Sequence, residues 1–364
     1  MKIVFFGNEP AKIAAIRYRI IKFAEMLEAG GHRCVVCLPA SIALHERLWN
    51  GGGRFRKLLY LLQMLARRSA QLRHVIGADV VYFRGPVFPY GPPVFEWLIH
   101  LAGRNMVLDI DDAIWEPPAH VTSVFRHFMN LGWVRQMAKM CVHAVVGNAH
   151  LENYVRQYNP NVTIVPTCID MDKHTQKGYR KEGPVVLGWT GLKDNLGYLD
   201  DIAHVLRELA ERHGVKMLVA SGAPYQLDGV EVENRYWRVE DEFVYLQEPD
   251  IGLMPLHDTP RARGKCAFKA LQYMGVGTPV VLSPVGMNAD VVEDGVTGFL
   301  ADAPEAWRDK LERLIRDAAL RERMGRAARN MVVEQFSHEA NYPNLKRALE
   351  TAARAKRSGD TETA

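Results

Sequence analysis

Short apolar runs recur along the chain, and a stretch of helical spacing follows almost every one. KIVFF (2–6), CVVCL (34–38), DVVYF (79–83), MVLDI (106–110), HAVVG (143–147) and VTIVP (162–166) read as strands, and residues 12–29 carry helical periodicity up to Gly30-Gly31. A polar stretch, DMDKHTQKGYRKEG (170–183), has few large apolar side chains and reads as a linker. The alternation then restarts with PVVLGWT (184–190), VKMLVAS (215–221), IGLMPL (251–256), PVVLS (279–283) and GFLA (298–301). Helices are predicted over about 195–212, 304–316, 318–335 and 338–355, and AKRSGDTETA (355–364) reads as a disordered tail. Strands alternating with helices predict parallel sheets covered on both faces. The expected fold is therefore α/β, with two doubly wound domains at 1–178 and 179–338. Residues 339–364 form a C-terminal helix that can cross back onto the first domain, followed by the tail. Ligands of such sheets sit beyond the carboxyl ends of the strands, so a cleft between the two domains is the place to expect a site.

Composition narrows the function classes. The chain has 364 residues, 48% hydrophobic and 24% charged, which suits two globular domains. A net charge of +4 is too small to argue for nucleic acid, and no recognition motif accompanies it. Five cysteines, an odd and sparse set, do not suggest a disulfide framework. Cys34 and Cys37 form a C-x-x-C, but in a strand positions three apart point to opposite faces, which argues against a redox pair. MKIVFFGNEP is too short and too weakly charged for a signal peptide, and no apolar stretch reaches the roughly 18 residues of a membrane span. A soluble cytoplasmic protein, or one peripheral to a membrane, is expected. The first strand–helix turn, GNEPAK, lacks the G-x-G-x-x-G dinucleotide fingerprint.

The densest chemistry lies in RARGKCAFKALQYMGVGTPVVLSPVG, Arg261 to Gly286. Gly264 and Lys265 precede a helix predicted to start near Cys266, and Lys269 lies four residues on, on the same helical face. A helix N-terminus offers free amides and partial positive charge, so amides near Ala267 and Phe268 together with two lysines make a candidate phosphate cradle. Solvation of an exposed helix end is the plain alternative. GWTGLKDN (188–195) is a second candidate, with Gly191 in the turn and Lys193 as its cation; a turn plus a helix cap at Asp194 or Asn195 explains it equally well.

LQYMGVGTPVV and DGVTGFL resemble the nucleotide-sugar domain of family 4 retaining glycosyltransferases, which have the two-domain GT-B fold of facing Rossmann-like halves. Weaker likeness extends over GGHRCVVC, ADVVYFRG, VVGNAHLENYV and IVPTCIDMD. The resemblance implies transfer of a sugar from a nucleoside-diphosphate sugar to a hydroxyl acceptor, with retention of configuration and no obligatory metal or other cofactor. The acceptor would be a glycan, a lipid-linked or a small-molecule alcohol. It places donor contacts at Gly191, Lys193, Gly222, Gly264, Cys266, Ala267, Phe268 and Gln272, the last toward the ribose. Two glutamates usual in the family would fall at Gly264 and Gln272, so this chain departs from the pattern at both. Lys265 and Lys269 are then expected to take up charge on the leaving diphosphate. A non-catalytic nucleotide-sugar binder of the same fold is the alternative reading.

LDIDDAIWEPP (108–118) crowds Asp109, Asp111 and Asp112 at a strand end. Carboxylates so spaced suit a divalent metal, or the nucleophile of an aspartyl phosphatase, although Ala113 and Ile114 follow where that class wants another pair. The family resemblance instead puts Asp111 and Asp112 on the acceptor side, with Asp111 accepting a hydrogen bond from a hydroxyl. A helix cap or an arginine partner is the structural alternative. Arg17 and Arg19, and His150 with Asn148, fall where the same cleft is expected; a solvated helix face and a structural histidine compete with those roles. The thirteen histidines show no metal-ligand spacing.

Finally, no Asp or Glu occurs from Arg47 through Ala78. RFRKLLYLLQMLARRSAQLRHV (54–75) mixes Arg and Lys with Leu, Tyr and Met at helical spacing, and VFPYGPPVFEWLIHLAG (87–103) and VFRHFMNLGWVRQMAKM (124–140) are rich in aromatics. A basic amphipathic helix is consistent with an anionic membrane surface as a partner, or with a core helix carrying a solvated basic stripe.

Overall fold

The computed structural model describes residues 1–45, 53–117, 130–180 and 182–355. Residues 124–129 of the aromatic segment, and the tail beyond Ala355, lie outside them. The chain divides into two compact units, residues 1–168 with 341–364, and residues 169–340. The sheet of unit 1 has the order β2-β1-β3-β4-β5-β6, with β1 Lys2–Gly7, β2 Arg33–Cys37, β3 Val80–Arg84, β4 Met106–Ile110, β5 His143–Val146 and β6 Val162–Ile164. Every neighbouring pair is parallel. The runs are apolar on both faces because helices cover both: β1, β3, β4 and β5 are buried almost throughout. Connecting helices are α1 Ala14–Ile16 and α2 Lys22–Ala29, joined by a π-helical turn at Arg17–Ile21, then α3 Ile42–His45, α4 Arg54–Gln71, α5 Val94–Leu101, α6 Trp133–Met140 and α7 Ala149–Val155.

Unit 2 repeats the plan with the order β12-β11-β10-β7-β8-β9. Its strands are β7 Val186–Gly191, β8 Lys216–Ser221, β9 Glu231–Tyr236, β10 Ile251–Met254, β11 Val280–Leu282 and β12 Phe299–Leu300. Its helices are α8 Ala203–His213, α9 Glu242–Gln247, α10 Pro260–Arg263, α11 Phe268–Gly275, α12 Pro304–Arg316 and α13 Ala318–Met331. The helix expected at 195–212 is a 3₁₀ segment, Lys193–Ile202, running into α8. α13 ends in a π-helical turn, Val332–Phe336.

The last helix, α14 His338–Arg354, belongs from Asn341 onward to unit 1. Leu345, Ala348, Leu349 and Ala352 are buried with Ile3, Phe23 and Leu27 of that unit. Each fully buried leucine contributes about 1.5–3 kcal/mol. The boundary between the units falls at Cys168/Ile169 rather than near 178. The polar stretch after Ile169 is not a free linker. His174 is fully buried, Lys177 donates to the Pro249 carbonyl, the Tyr179 hydroxyl donates to Gly277 O at 2.9 Å, and Arg180 pairs with Asp250 at 2.9 Å. Polar side chains carry this segment's packing, which is why hydropathy alone mistakes it for a tether.

Candidate functional site

A doubly wound sheet opens where neighbouring strands send their connections to opposite faces, between β10 and β7 in unit 2 and between β1 and β3 in unit 1. The candidate residues fall at these two switch points.

In unit 2, β7 ends in Trp189-Thr190-Gly191, and the β10–β11 crossover brings α11 beside it. The turn into α11 is unusual. Ala267 has φ +48, and it is the one non-glycine with positive φ among the described residues. An L-residue in that region costs roughly 1–2 kcal/mol, so the surroundings hold it there; it is fully buried. Gly264 is buried and closes the short turn of α10, donating to Arg261 O at 3.2 Å. Phe268 is half-buried and Cys266 buried.

The turn sets both lysines against aromatic faces. Lys269 Nζ lies 4.3 Å from the ring centroid of Trp189, and Lys265 Nζ lies 5.4 Å from that of Tyr198. Gly191 leaves room for this. A Cβ there would lie 2.7 Å from the Trp189 ring and 2.9 Å from Lys269 Cε, and closer still to Nζ. Among the described residues Lys269 has no carboxylate partner and no side-chain hydrogen bond. Burial, together with the charge of Lys265, pushes its ammonium down to about 7. A half-buried cation held by one ring and repelled by a second cation lacks only an anion.

The remaining donor-side expectations separate. Lys193 is exposed at the start of the 3₁₀ segment, and Gly222 is exposed just past β8 with nothing near a would-be Cβ. Gln272 is not presented to a ligand: it is 4% exposed, and its Nε2 donates to Glu242 Oε1 at 2.9 Å. The hydrogen-bonding capacity expected to meet a ribose is spent on this buried carboxylate. Tyr198 and the neighbouring pair His257 Nε2–Asp201 Oδ2, 2.6 Å apart, were not foreseen; isolated polar residues in a 3₁₀ turn and a strand-end loop carry no spacing signal.

In unit 1 the crowded carboxylates diverge. Asp109 is buried, and Arg19 donates to it through Nε at 3.1 and 3.0 Å and through Nη2. Arg19, 2% exposed, also donates to Val165 O at 3.0 Å, so it is a structural pair and not an acceptor-side group. Arg17 lies with its guanidinium 5.1 Å from the Tyr18 ring centroid. Asp111 meets Arg84 Nη2 at 2.7 Å, and Arg84 Nη1 donates to Asn8 Oδ1 at 2.8 Å and approaches Glu9 at 3.4 Å. Burial would raise the Asp111 carboxyl, but Arg84 and Arg19 outweigh it and hold it below its usual range. Asp112 accepts from the Ala113 N–H at 3.0 Å. Asn148 caps α7 by accepting from the Leu151 N–H at 2.9 Å, and His150 stands half-buried in that helix's first turn. Asn8, Glu9 and Arg84 were missed, although an arginine directly after the apolar run VVYF is a readable signal.

Asp109 and Asp111 are thus committed to different arginines. No group of three or more His, Cys, Asp or Glu among the described residues could hold a metal ion. All five cysteines are free thiols, and burial pushes Cys34 and Cys37 up to about 11, which leaves them poor redox nucleophiles.

Residues 244–331, which include both lysines, match the family model described as "Glycosyl transferases group 1". A solved structure of Anabaena Alr3699/HepE in complex with UDP and glucose superposes with a TM-score of 0.68 at 15% identity, covering 96% of this chain and 100% of that one. The fold is GT-B. A glycosyltransferase from Rickettsia africae matches this GT-B chain with a TM-score of 0.68 at 12% identity, covering 98% and 99%. The D-inositol 3-phosphate glycosyltransferase of Corynebacterium jeikeium is 24% identical over 62% of this chain and 63% of its own length. The alpha-maltose-1-phosphate synthase of Mycobacterium tuberculosis is 27% identical over 56% of this chain and 62% of its own. The chain thus spans somewhat less than two thirds of the length of these curated relatives. No helix among the described residues is long and apolar enough to cross a membrane.

Proposed function

We propose that the chain is a glycosyltransferase that moves a sugar from a nucleoside-diphosphate sugar to a hydroxyl acceptor, with retention of configuration. One observation carries this reading: Lys269, an ammonium without an anion, stands beside Lys265 at the switch point of unit 2. As the bond between the anomeric carbon and the diphosphate oxygen breaks, negative charge grows on the diphosphate. Lys269 and Lys265 stabilise it where water is largely excluded. Trp189 holds the ammonium in place before the donor arrives. Gly264 offers the sugar no side chain, so specificity for the sugar rests on backbone and neighbouring groups. The acceptor is a glycan, a lipid-linked or a small-molecule alcohol; Asp111, kept ionised by Arg84, accepts a hydrogen bond from its hydroxyl. The pairing of the carboxylates with arginines supports a reaction without an obligatory metal.

The test is a panel of UDP-, GDP- and ADP-sugars with candidate alcohols, read by release of free nucleoside diphosphate and by thermal shift. At least one donor should stabilise the chain and be turned over, and both effects should vanish in Lys269→Ala. Stabilisation without turnover under any acceptor would favour the bare binder that Gly264 suggests. No stabilisation by any nucleotide would sink the donor site itself.

A further inference from the structure

α4 has two apolar faces, and only one is used. Tyr60, Met64, Arg68 and Gln71 point inward. Arg68 is fully buried and seats the helix on the ends of β1 and β2 and the loop after β3, donating to Gly7 O, to Cys37 O at 3.0 Å and to Val87 O at 2.9 Å. Tyr60 and Met64 pack with Ala40, and Leu44, Leu61 and Phe88 lie against them. The opposite face carries Phe55 (78% exposed), Leu58 (54%), Leu59 (38%) and Leu62 (56%), with Leu65 (43%) at its edge. At 100° per residue the first four fall within one narrow stripe, diametrically opposed to the anchored one. Exposed Arg56 and Arg67 run along its flank, and the sequence from Arg47 through Ala78 contains no acidic residue. In the same unit, α5 shows a second outward stripe: Val94 (47%), Trp97 (42%), Leu98 (49%) and Leu101 (80%).

A helix anchored by one face does not leave four large apolar side chains in water without consequence; a contiguous exposed patch of this kind marks a contact surface. We infer that the outward face of α4 docks on an anionic lipid bilayer. The charge selects this occupant. An uninterrupted basic segment beside an apolar stripe matches a negatively charged headgroup layer over acyl chains. The helix would lie in the interface with Phe55, Leu58 and Leu62 below the headgroups and Arg56 and Arg67 among them. The inference does not rest on the transferase reading, although a lipid-linked acceptor would give the docking a purpose.

The experiment is co-sedimentation of the full chain with phosphatidylcholine vesicles, with and without phosphatidylglycerol, at low and high salt. Expected is binding to the anionic vesicles that weakens with salt and is slight on neutral ones. Leu58→Ser with Leu62→Ser should weaken partitioning by roughly tenfold or more, from lost apolar burial. Arg56→Gln with Arg67→Gln should weaken it less and remove most of the salt dependence. Leu58 and Leu62 lie on the solvent side, so for that pair far-UV circular dichroism and the melting temperature should not change. Arg67→Gln also gives up the Nε bond to Leu38 O at 3.0 Å, so the arginine pair should keep its helix content and lose a little in melting temperature. Absence of binding to anionic vesicles overturns the proposal, as does binding indifferent to both pairs. A dimer in solution that Leu58→Ser with Leu62→Ser dissolves also overturns it, because the face then belongs to a second copy. None of these readouts uses sugar transfer, so failure here leaves the donor site untouched.

Discussion

The two switch points treat charge in opposite ways. In unit 1 the two arginines beside the crowded aspartates have matching anions, Arg19 taking Asp109 and Arg84 taking Asp111 with Asn8 and Glu9 alongside, while buried Arg68 spends its donors on backbone carbonyls and Gln71. In unit 2 the cation at the strand end has none; Lys269 rests on the Trp189 ring with Lys265 repelling it. Both arrangements desolvate charge, but only the first recovers the loss within the protein. Matched pairs fix geometry and are complete as they stand. An unmatched cation is a standing cost that a ligand removes. The difference separates an architectural cluster from a binding site on chemistry alone, and each side of it can be attacked.

The largest effect should come from breaking a matched pair. Asp109→Ala leaves the Arg19 guanidinium buried with, among the described residues, the Val165 carbonyl as its remaining hydrogen-bond acceptor. Removing one partner of a buried pair costs about 3–5 kcal/mol, so unit 1 should unfold early in a urea titration. A loss within a few tenths of a kcal/mol would place that pair in the same class as surface ion pairs.

Lys269→Ala comes next and has the opposite profile. Donor turnover should fall by about 100-fold or more, as expected when one preorganised charge on the leaving group is lost. The free protein should not be destabilised. Lys269→Met, which keeps the stem and removes the charge, should raise stability by about 1 kcal/mol. A variant that loses turnover and stability together would make Lys269 another architectural residue.

Much of this was legible in the sequence, and the part that was not has a physical cause. Apolar runs such as KIVFF, MVLDI and PVVLS became buried parallel strands, because a strand covered on both faces must be apolar throughout. β9, EVENRY, was missed because it is an edge strand exposed along most of its length, with no apolar run to announce it. Lys265 and Lys269 were visible as a pair four apart. The partners of the aspartates were not: Arg84 lies 27 residues from Asp111 and is brought there by the parallel register of β3 and β4, and Arg19 lies 90 from Asp109 and is brought there by its helical turn packing on the sheet. Gln272 misled because its donors and acceptor suit a ribose as well as they suit Glu242, and burial decides between the two.

pH should sharpen the comparison. The Lys269 ammonium titrates at about 7 in the free fold, pushed there by burial and by Lys265. In the unfolded chain a lysine holds its proton to about 10.4. Between those values the unfolded state binds the additional proton, so this residue's contribution makes stability rise with pH across that window. Diphosphate affinity should run the other way. It should weaken as pH rises through 7, by at most about tenfold per pH unit, because the bound anion requires the protonated form. Lys269→Met should flatten both trends. Parallel rather than opposed slopes in wild type would mean that another group controls the site.

The smallest effect tests the fit itself. Gly191→Ala puts a methyl group against both Trp189 and the end of Lys269. The indole is 1% exposed and fixed by the core, whereas Nζ ends a flexible chain, so the lysine gives way. Donor affinity should drop by about three- to tenfold, roughly the scale of one weakened cation–π and charge contact, and the close approach to the fixed indole should cost less stability than the control substitution that follows. Gly188→Ala is the control on the same strand. Its methyl group would meet the Pro249 ring and come within 3.2 Å of the Tyr273 hydroxyl, in packing that cannot swing aside, so about 1–3 kcal/mol of stability should go. Two glycines three residues apart would then report on different things, one on a site and one on a core. Equal losses of stability at both, with donor affinity intact, would mean that the ammonium at Gly191 is packing and that the unmatched charge has no ligand to await.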